Sequence, residues 1–421
     1  MFQSKVGSNL SRGYATVSKI VTTPGGVKVA TAGGSESPLA SVSLVLNAGS
    51  RFEGVETAGA AHYLKAFGFR NTGARTSFRT IREAELNGAT LHAEATRENV
   101  TFSVRCFKEA VPYFVEVLGD VAAGTKFTEH EFRDVDRLVK FETLSARANP
   151  VTRVLEGVHQ AAFRQGLGNS LYAPDASPIT TGDAVRQYAE RALNGRVALV
   201  GTGIEAEELS KLAAASRLGA LGSNAASAAA TSAAAQFVGG GQQVYETAGD
   251  VAHYALAFSC APEQAALLRG LLGGGRRVKW GQGVAPLAQL AAREGFSAEP
   301  FACTYSDAGL VGVVVEARAT QLRDAVQKVA AAIQRDVARP QTDAVQRAVA
   351  AARLDAADAL ATGPGAVRSL AQIALGQAAP DAVDSAASSL AATASSVFAS
   401  KPVAASVGLS QSTPYVDTLG F

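Results

Sequence analysis

The sequence predicts an α+β protein built from two tandem, homologous domains. Each is a mainly antiparallel sheet covered by helices. Three observations lead there. Apolar runs with strand alternation are followed by long stretches of helical period, the order that α+β folds show. That order occurs twice. Between the two occurrences lies "LGALGSNAASAAATSAAAQ", residues 218–236, almost entirely Ala, Ser and Gly and without charge, which reads as a linker. The expected division is 1–14 as a targeting segment, 15–217 as the first domain, 218–236 as linker and 237–421 as the second domain.

The chain has 421 residues, 47% apolar and 18% charged, with a net charge of +2. That balance suits a folded protein with more than one core and excludes nucleic acid or an anionic membrane as the main electrostatic partner. No run of 18 apolar residues occurs, so a bilayer span is not expected. The three cysteines, Cys106, Cys260 and Cys303, are too scattered for a disulfide framework or a C-x-x-C pair and read as small core residues.

The opening "MFQSKVGSNLSRGYATVSK" has no acid before Glu36, carries Lys5, Arg12 and Lys19, and sets Phe2, Val6 and Leu10 four apart. This is the pattern of a mitochondrial transit peptide. Arg12 places the expected cut between Tyr14 and Ala15.

In the first half "ASVSLVLNAGSR" reads as a strand. The helix carrying His62 follows. Then "LHAEATRENVTFSVRCF" makes a hairpin, with Val100, Phe102, Val104 and Cys106 on one face. "FTEHEFRDVDRLVKFETLSARA" starts with a capping box, Thr128 and Glu131. It places Phe132, Val135, Leu138 and Val139 at helical spacing. "RVALVGTGI" closes the half as a strand. The second half repeats this with "VAHYALAFSCA", the helix "APEQAALLRGLLGGG", the hairpin "FACTYSDAGLVGVVVEAR" and the closing strand "KPVAASVGL".

The chemistry turns on "GAAHYLKAFG", residues 59–68. An inverted zinc motif, H-x-x-E-H, sets two imidazoles at i and i+4 on one helix face, with a Glu at i+3 to take a proton from metal-bound water. Here His62 is followed by Lys65 at i+3 and Ala66 at i+4. Ala66 has no lone pair. A Lys65 ammonium about 4 Å from a divalent ion would be repelled by roughly 8 kcal/mol at an effective dielectric of about 20. No catalytic residue, metal site or cofactor site is therefore expected from this helix. The other histidines, His92, His130, His159 and His253, have no partner at metal-ligand spacing and read as solvated or core residues. The glycine clusters at 239–243 and 273–277 and the run "GTGIEAEE" lack the context of a phosphate loop and read as loops and helix ends.

Together "LNAGSRFE", "AHYLKAFGFRNT" and "ELNGATLHAEATRENVTFSV" resemble, in order, the pitrilysin-like, mitochondrial-processing-peptidase family. The resemblance implies that Glu142, 76 residues past Ala66 (142 − 66), stands at the family's third-ligand position. His62 and Glu142 match the pattern, while Lys65 and Ala66 depart from it, which takes away the base and one ligand. "YETAGDVAHYALAF", "GGGRRVKWGQGVAPLAQLA", "FACTYSDAGLVGVVVEA" and "KPVAASVGLSQSTPYVDTLGF" are similar to the branch of the family that supplies core subunits to the mitochondrial ubiquinol–cytochrome c reductase. That likeness implies a structural, non-catalytic subunit on the matrix side of the inner membrane. Its partners would be core protein 1, cytochrome b and cytochrome c1. The alternative is the substrate-binding subunit of the processing peptidase. That subunit carries a Gly-rich loop, where this chain has Arg276, Arg277 and Lys279, a poor lure for a basic presequence.

Overall fold

The computed structural model describes residues 18–421 except 24–25, 33–36, 194–196, 222–233, 274–280, 282, 362 and 377–385. The expected targeting segment, its cut at Tyr14 and Ala15, most of the linker and the basic residues Arg276, Arg277 and Lys279 lie outside them.

The chain folds into two compact units. The first holds Met1–Lys140, Ala173–Thr231 and Ala356–Gln377; the second holds Phe141–Tyr172, Ser232–Asp355 and Ala378–Phe421. Each unit thus takes in one stretch from the opposite half of the sequence.

The first unit is built on β1 (Ser18–Thr22), β2 (Lys28–Ala32), β3 (Leu39–Leu46), β4 (Thr90–Ala95), β5 (Val100–Phe107) and β6 (Val197–Thr202). Their order across the sheet is β1-β2-β6-β3-β5-β4, with only β2 and β6 parallel. The second unit uses β7 (Gln242–Glu246), β8 (Val251–Cys260), β9 (Ser297–Thr304), β10 (Gly309–Arg318) and β11 (Val403–Gly408). Here the order is β7-β11-β8-β10-β9, and only β7 and β11 are parallel. Without β1 the two orders are the same, with the parallel pair in the same place. The duplication expected from the sequence pattern is therefore present in the topology.

Period-two alternation explains the hairpins. Val100, Phe102, Val104 and Cys106 are buried, while the alternate positions are half-buried at Thr101 and Ser103 and exposed at Arg105 and Phe107. The "SDAG" turn closes with Tyr305 N–H donating to Ala308 O at 2.9 Å. The strand that closes each half runs inside its sheet rather than along its edge. β6 lies between β2 and β3, and β11 lies between β7 and β8.

One face of the first sheet packs on α1 (Ala60–Ala66), α3 (Val111–Gly124), α6 (Gly182–Leu193) and α7 (Ala206–Ala215), around Leu44, Phe102, Phe114, Leu118 and Leu199. Its other face is covered by α12 (Gly363–Leu375), which sets Val367, Leu370, Ala371 and Ala374 against Ala30, Val45, Ala198 and Val200. The second sheet repeats the plan. α8 (Ala265–Leu272) and α10 (Leu322–Ala332) cover one face, and α5 (Pro150–Phe163) covers the other.

α4 (Glu129–Ala148) shows two differences from the pattern read in its sequence. Glu131 N–H donates to Thr128 Oγ1 at 3.4 Å, one half of a capping box. The Glu131 carboxylate is instead taken by Asn71 N–H at 3.0 Å and the Thr128 hydroxyl at 3.0 Å. Phe132, Val135 and Val139 are buried, but Leu138 is 37% exposed and joins Phe141 and Leu144 on the outward side. A spacing of three after Val135 carries Leu138 to the edge of the buried arc, while four, at Val139, stays within it.

Cys106 and Cys260 are buried, with burial raising their thiols to about 11 and about 12; Cys303 is partly exposed. Protonated, apolar-packed thiols of this kind are core residues. No helix among the described residues is long and apolar enough to cross a membrane.

Candidate functional site

α1 is short, and its neighbours hold it rather than its own length. Gly59, just before it, has φ +91°, a left-handed conformation that glycine adopts without strain. A β-carbon there would lie 2.7 Å from the Ala173 side chain. The orphan N–H groups at the helix start are met from a distance. Glu53 Oε2 accepts Gly59 N–H, and Glu53 Oε1 accepts Ala61 N–H, each at 2.8 Å. Burial raises the Glu53 carboxyl to about 7 against the opposing pull of these two hydrogen bonds.

The loop that presents Glu53 is locked in turn. Gly49 passes so close to the 96–97 backbone that a β-carbon would come within 2.4 Å of Arg97 C and O. Arg51 N–H donates to Arg97 O at 2.8 Å, and Gly49 N–H to Glu98 O at 3.0 Å. The Arg51 guanidinium meets the Glu98 carboxylate at 2.8 Å, both side chains more than nine-tenths buried. The Tyr188 hydroxyl donates to Ala48 O at 2.8 Å and to Gly49 O at 3.1 Å. "LNAGSRFE" is therefore the clamp that seats the helix carrying His62.

His62 is buried, and its Nδ1 accepts Ala173 N–H at 3.2 Å. In a neutral imidazole whose Nδ1 accepts, the proton sits on Nε2. Ligating histidines have the reverse arrangement: one nitrogen donates its N–H to a carbonyl or carboxylate and the other faces the ion. Tyr63 stacks on Phe132, with ring centroids 5.5 Å apart, and donates to Asp136 Oδ1 at 2.8 Å. Burial first, and then Asp136, push its hydroxyl well above the usual phenol range. Lys65 is half-buried, and Ala66 belongs to the apolar core.

Glu142 stands on the part of α4 that is grouped with the second unit. Among the described residues, no group of three or more His, Cys, Asp and Glu side chains is placed to hold a metal ion. His159 and His253 are buried, and His130 is exposed. His159 Nδ1 is 2.6 Å from Leu155 O, so it donates there, and Nε2 accepts the Tyr305 hydroxyl at 2.7 Å.

The insulinase family model (peptidase family M16) matches residues 28–175. A cytochrome b-c1 complex subunit 2 from Cryptococcus neoformans var. grubii is 35% identical over 433 residues, covering 99% of this chain and 97% of that protein. The chain belongs to the M16 family, in the branch of cytochrome b-c1 complex subunit 2. Within that branch the human subunit 2 is 30% identical, over 69% of this chain and 66% of its own length. Relatives of another name also match. A probable mitochondrial-processing peptidase subunit alpha-2 of Arabidopsis thaliana is 35% identical over 57% of this chain, but over only 47% of its own length.

Proposed function

We propose that this chain is a non-catalytic core subunit of the mitochondrial cytochrome b–c1 complex, ubiquinol–cytochrome c reductase, and acts there in assembly and stability. The observation that carries the reading is the end-to-end likeness to a protein named subunit 2 of that complex, 99% of one chain against 97% of the other. In this reading the chain sits on the matrix side of the inner membrane, pairs with core protein 1 and meets cytochrome b and cytochrome c1. Haem and quinone chemistry belong to other subunits. Residues 1–14 direct import and are removed between Tyr14 and Ala15.

The geometry of α1 supports a role played by shape. Lys65 stands where the peptidase base would be and Ala66 where the second imidazole would be. His62 spends a nitrogen lone pair on the Ala173 amide. His62, Lys65, Ala66 and Glu142 are thus the remains of the family's zinc site.

The test is a tagged chain expressed in its own mitochondria. It is expected to bring down the complex with one copy per cytochrome b, and with no zinc bound to this chain. An assembled complex lacking the chain, or chelator-sensitive peptide cleavage by the purified chain, overturns the proposal. A second reading, substrate-binding subunit of the processing peptidase, draws on the likeness to the Arabidopsis protein. It requires the chain to restore presequence cleavage when mixed with a catalytic β-type subunit, and we expect no cleavage.

A further inference from the structure

We propose that residues 1–221 and 234–421 bind one another as independent partners. Each half supplies the helix that the other half's sheet lacks, and residues 222–233 are dispensable for holding them together. The observation is the reciprocal make-up of the units. The first unit takes Ala356–Gln377 from the second half, and the second takes Phe141–Tyr172 from the first.

Both insertions are built interfaces. α5 lays Val154, Val158, Ala161 and Ala162 on Ala255, Ala257 and Ala405 of the second sheet. It comes so close at Gly157 that a β-carbon would lie 2.9 Å from the Ala405 methyl and 2.8 Å from the Tyr245 ring. Polar groups fix its register. Arg153 stacks 4.6 Å above the Tyr245 ring, and the Tyr245 hydroxyl donates to Gln160 at 3.1 Å. Tyr305 reaches His159, and Val238 N–H donates to Ala162 O at 2.9 Å. On the first sheet α12 covers Ala30, Val45, Ala198 and Val200, and Arg368 pairs with Glu94 of β4 at 3.1 Å.

A sheet face of small apolar side chains cannot stay open to water without loss of the burial that stabilises it. Neither half can cover both faces of its own sheet, but the two together cover all four. The covering helices arrive through α4 and the Thr342–Ala361 helix, not through 222–233. That stretch, "GSNAASAAATSA", is uncharged and of small residues, a sequence suited to connection rather than packing.

The test places a specific protease site within 222–233 of the full chain and cuts the folded protein. The two pieces are expected to co-elute at the volume of the uncut chain. They should melt in one transition whose temperature rises with protein concentration, which the uncut chain's does not. Separation into two species overturns the proposal. Gly157→Leu should dissociate the cut protein while the uncut variant still elutes as one chain. A second readout needs no folded uncut precursor: the two pieces are co-expressed with a tag on one only. Stoichiometric recovery of the untagged piece supports the proposal, and its absence from the resin overturns it.

Discussion

Replacing Arg51 by Met tests the clamp that seats α1. The Arg51–Glu98 contact is 2.8 Å, with side-chain exposures of 5% and 8%. At that separation and an effective dielectric of about 20, the attraction is about 6 kcal/mol, and desolvation of both ions offsets part of it. Removing the guanidinium alone takes from the buried Glu98 carboxylate its counter-charge at 2.8 Å, a change that costs about 3–5 kcal/mol. For a unit of this size each kcal/mol moves the melting temperature by about 2–4 °C, so Arg51→Met should lower it by roughly 6–20 °C. Removing both charges, as Arg51→Met with Glu98→Leu, should recover more than half of that loss, because the buried carboxylate that lost this partner is gone too. Thermal unfolding followed by near-ultraviolet circular dichroism measures both. A single-variant cost below about 1 kcal/mol would refute the reasoning, since it matches an exposed pair. So would a double variant no more stable than the single.

Glu53 gives a pH signature. Its folded carboxyl is raised to about 7 from 4.5, so the folded state holds the extra proton between those values. The stability it confers is full below 4.5 and is lost as pH rises through 7, by up to about 3 kcal/mol. Between pH 5 and pH 8 the wild-type melting temperature should fall relative to Glu53→Gln, and parallel curves would contradict the assignment. Gly49→Ala drives a β-carbon into the Arg97 carbonyl and should cost about 1–3 kcal/mol in denaturant unfolding; an unchanged midpoint would show that the loop can shift. His62→Ala strips Ala173 N–H of its acceptor and should cost about 1–3 kcal/mol. Turnover of ubiquinol–cytochrome c reductase per assembled complex should not change, and a fall in that rate would give His62 a role beyond packing.

Much of this fold could be read from side-chain period. Alternation placed both hairpins, because a half-buried strand must present every second residue to the core. The closing strands could be recognised as strands, but nothing in "RVALVGTGI" says that it lies beside both β2 and β3. The helices α5 and α12 each present an apolar stripe, but such a stripe does not name the sheet it will cover. Their placement in the opposite units depends on tertiary packing alone. At the site, the departure of Lys65 and Ala66 from H-x-x-E-H could be read from residue type. The clamp could not. Glu53 caps α1 across the left-handed turn at Gly59, and Arg51 answers a glutamate 47 residues away. No local spacing rule connects such pairs.

The interleaving of the halves also fixes a timetable. β6, the strand that finishes the first sheet, ends at Thr202, and the helix that shields its second face ends at Leu375, 173 residues later (375 − 202). When the chain reaches its compartment N-terminus first, the strands of that sheet arrive well before the helix. Until the helix follows, Ala30, Val45, Ala198 and Val200 have no cover on that flank. Folding of the first unit therefore closes late, once nearly all of the polypeptide is present.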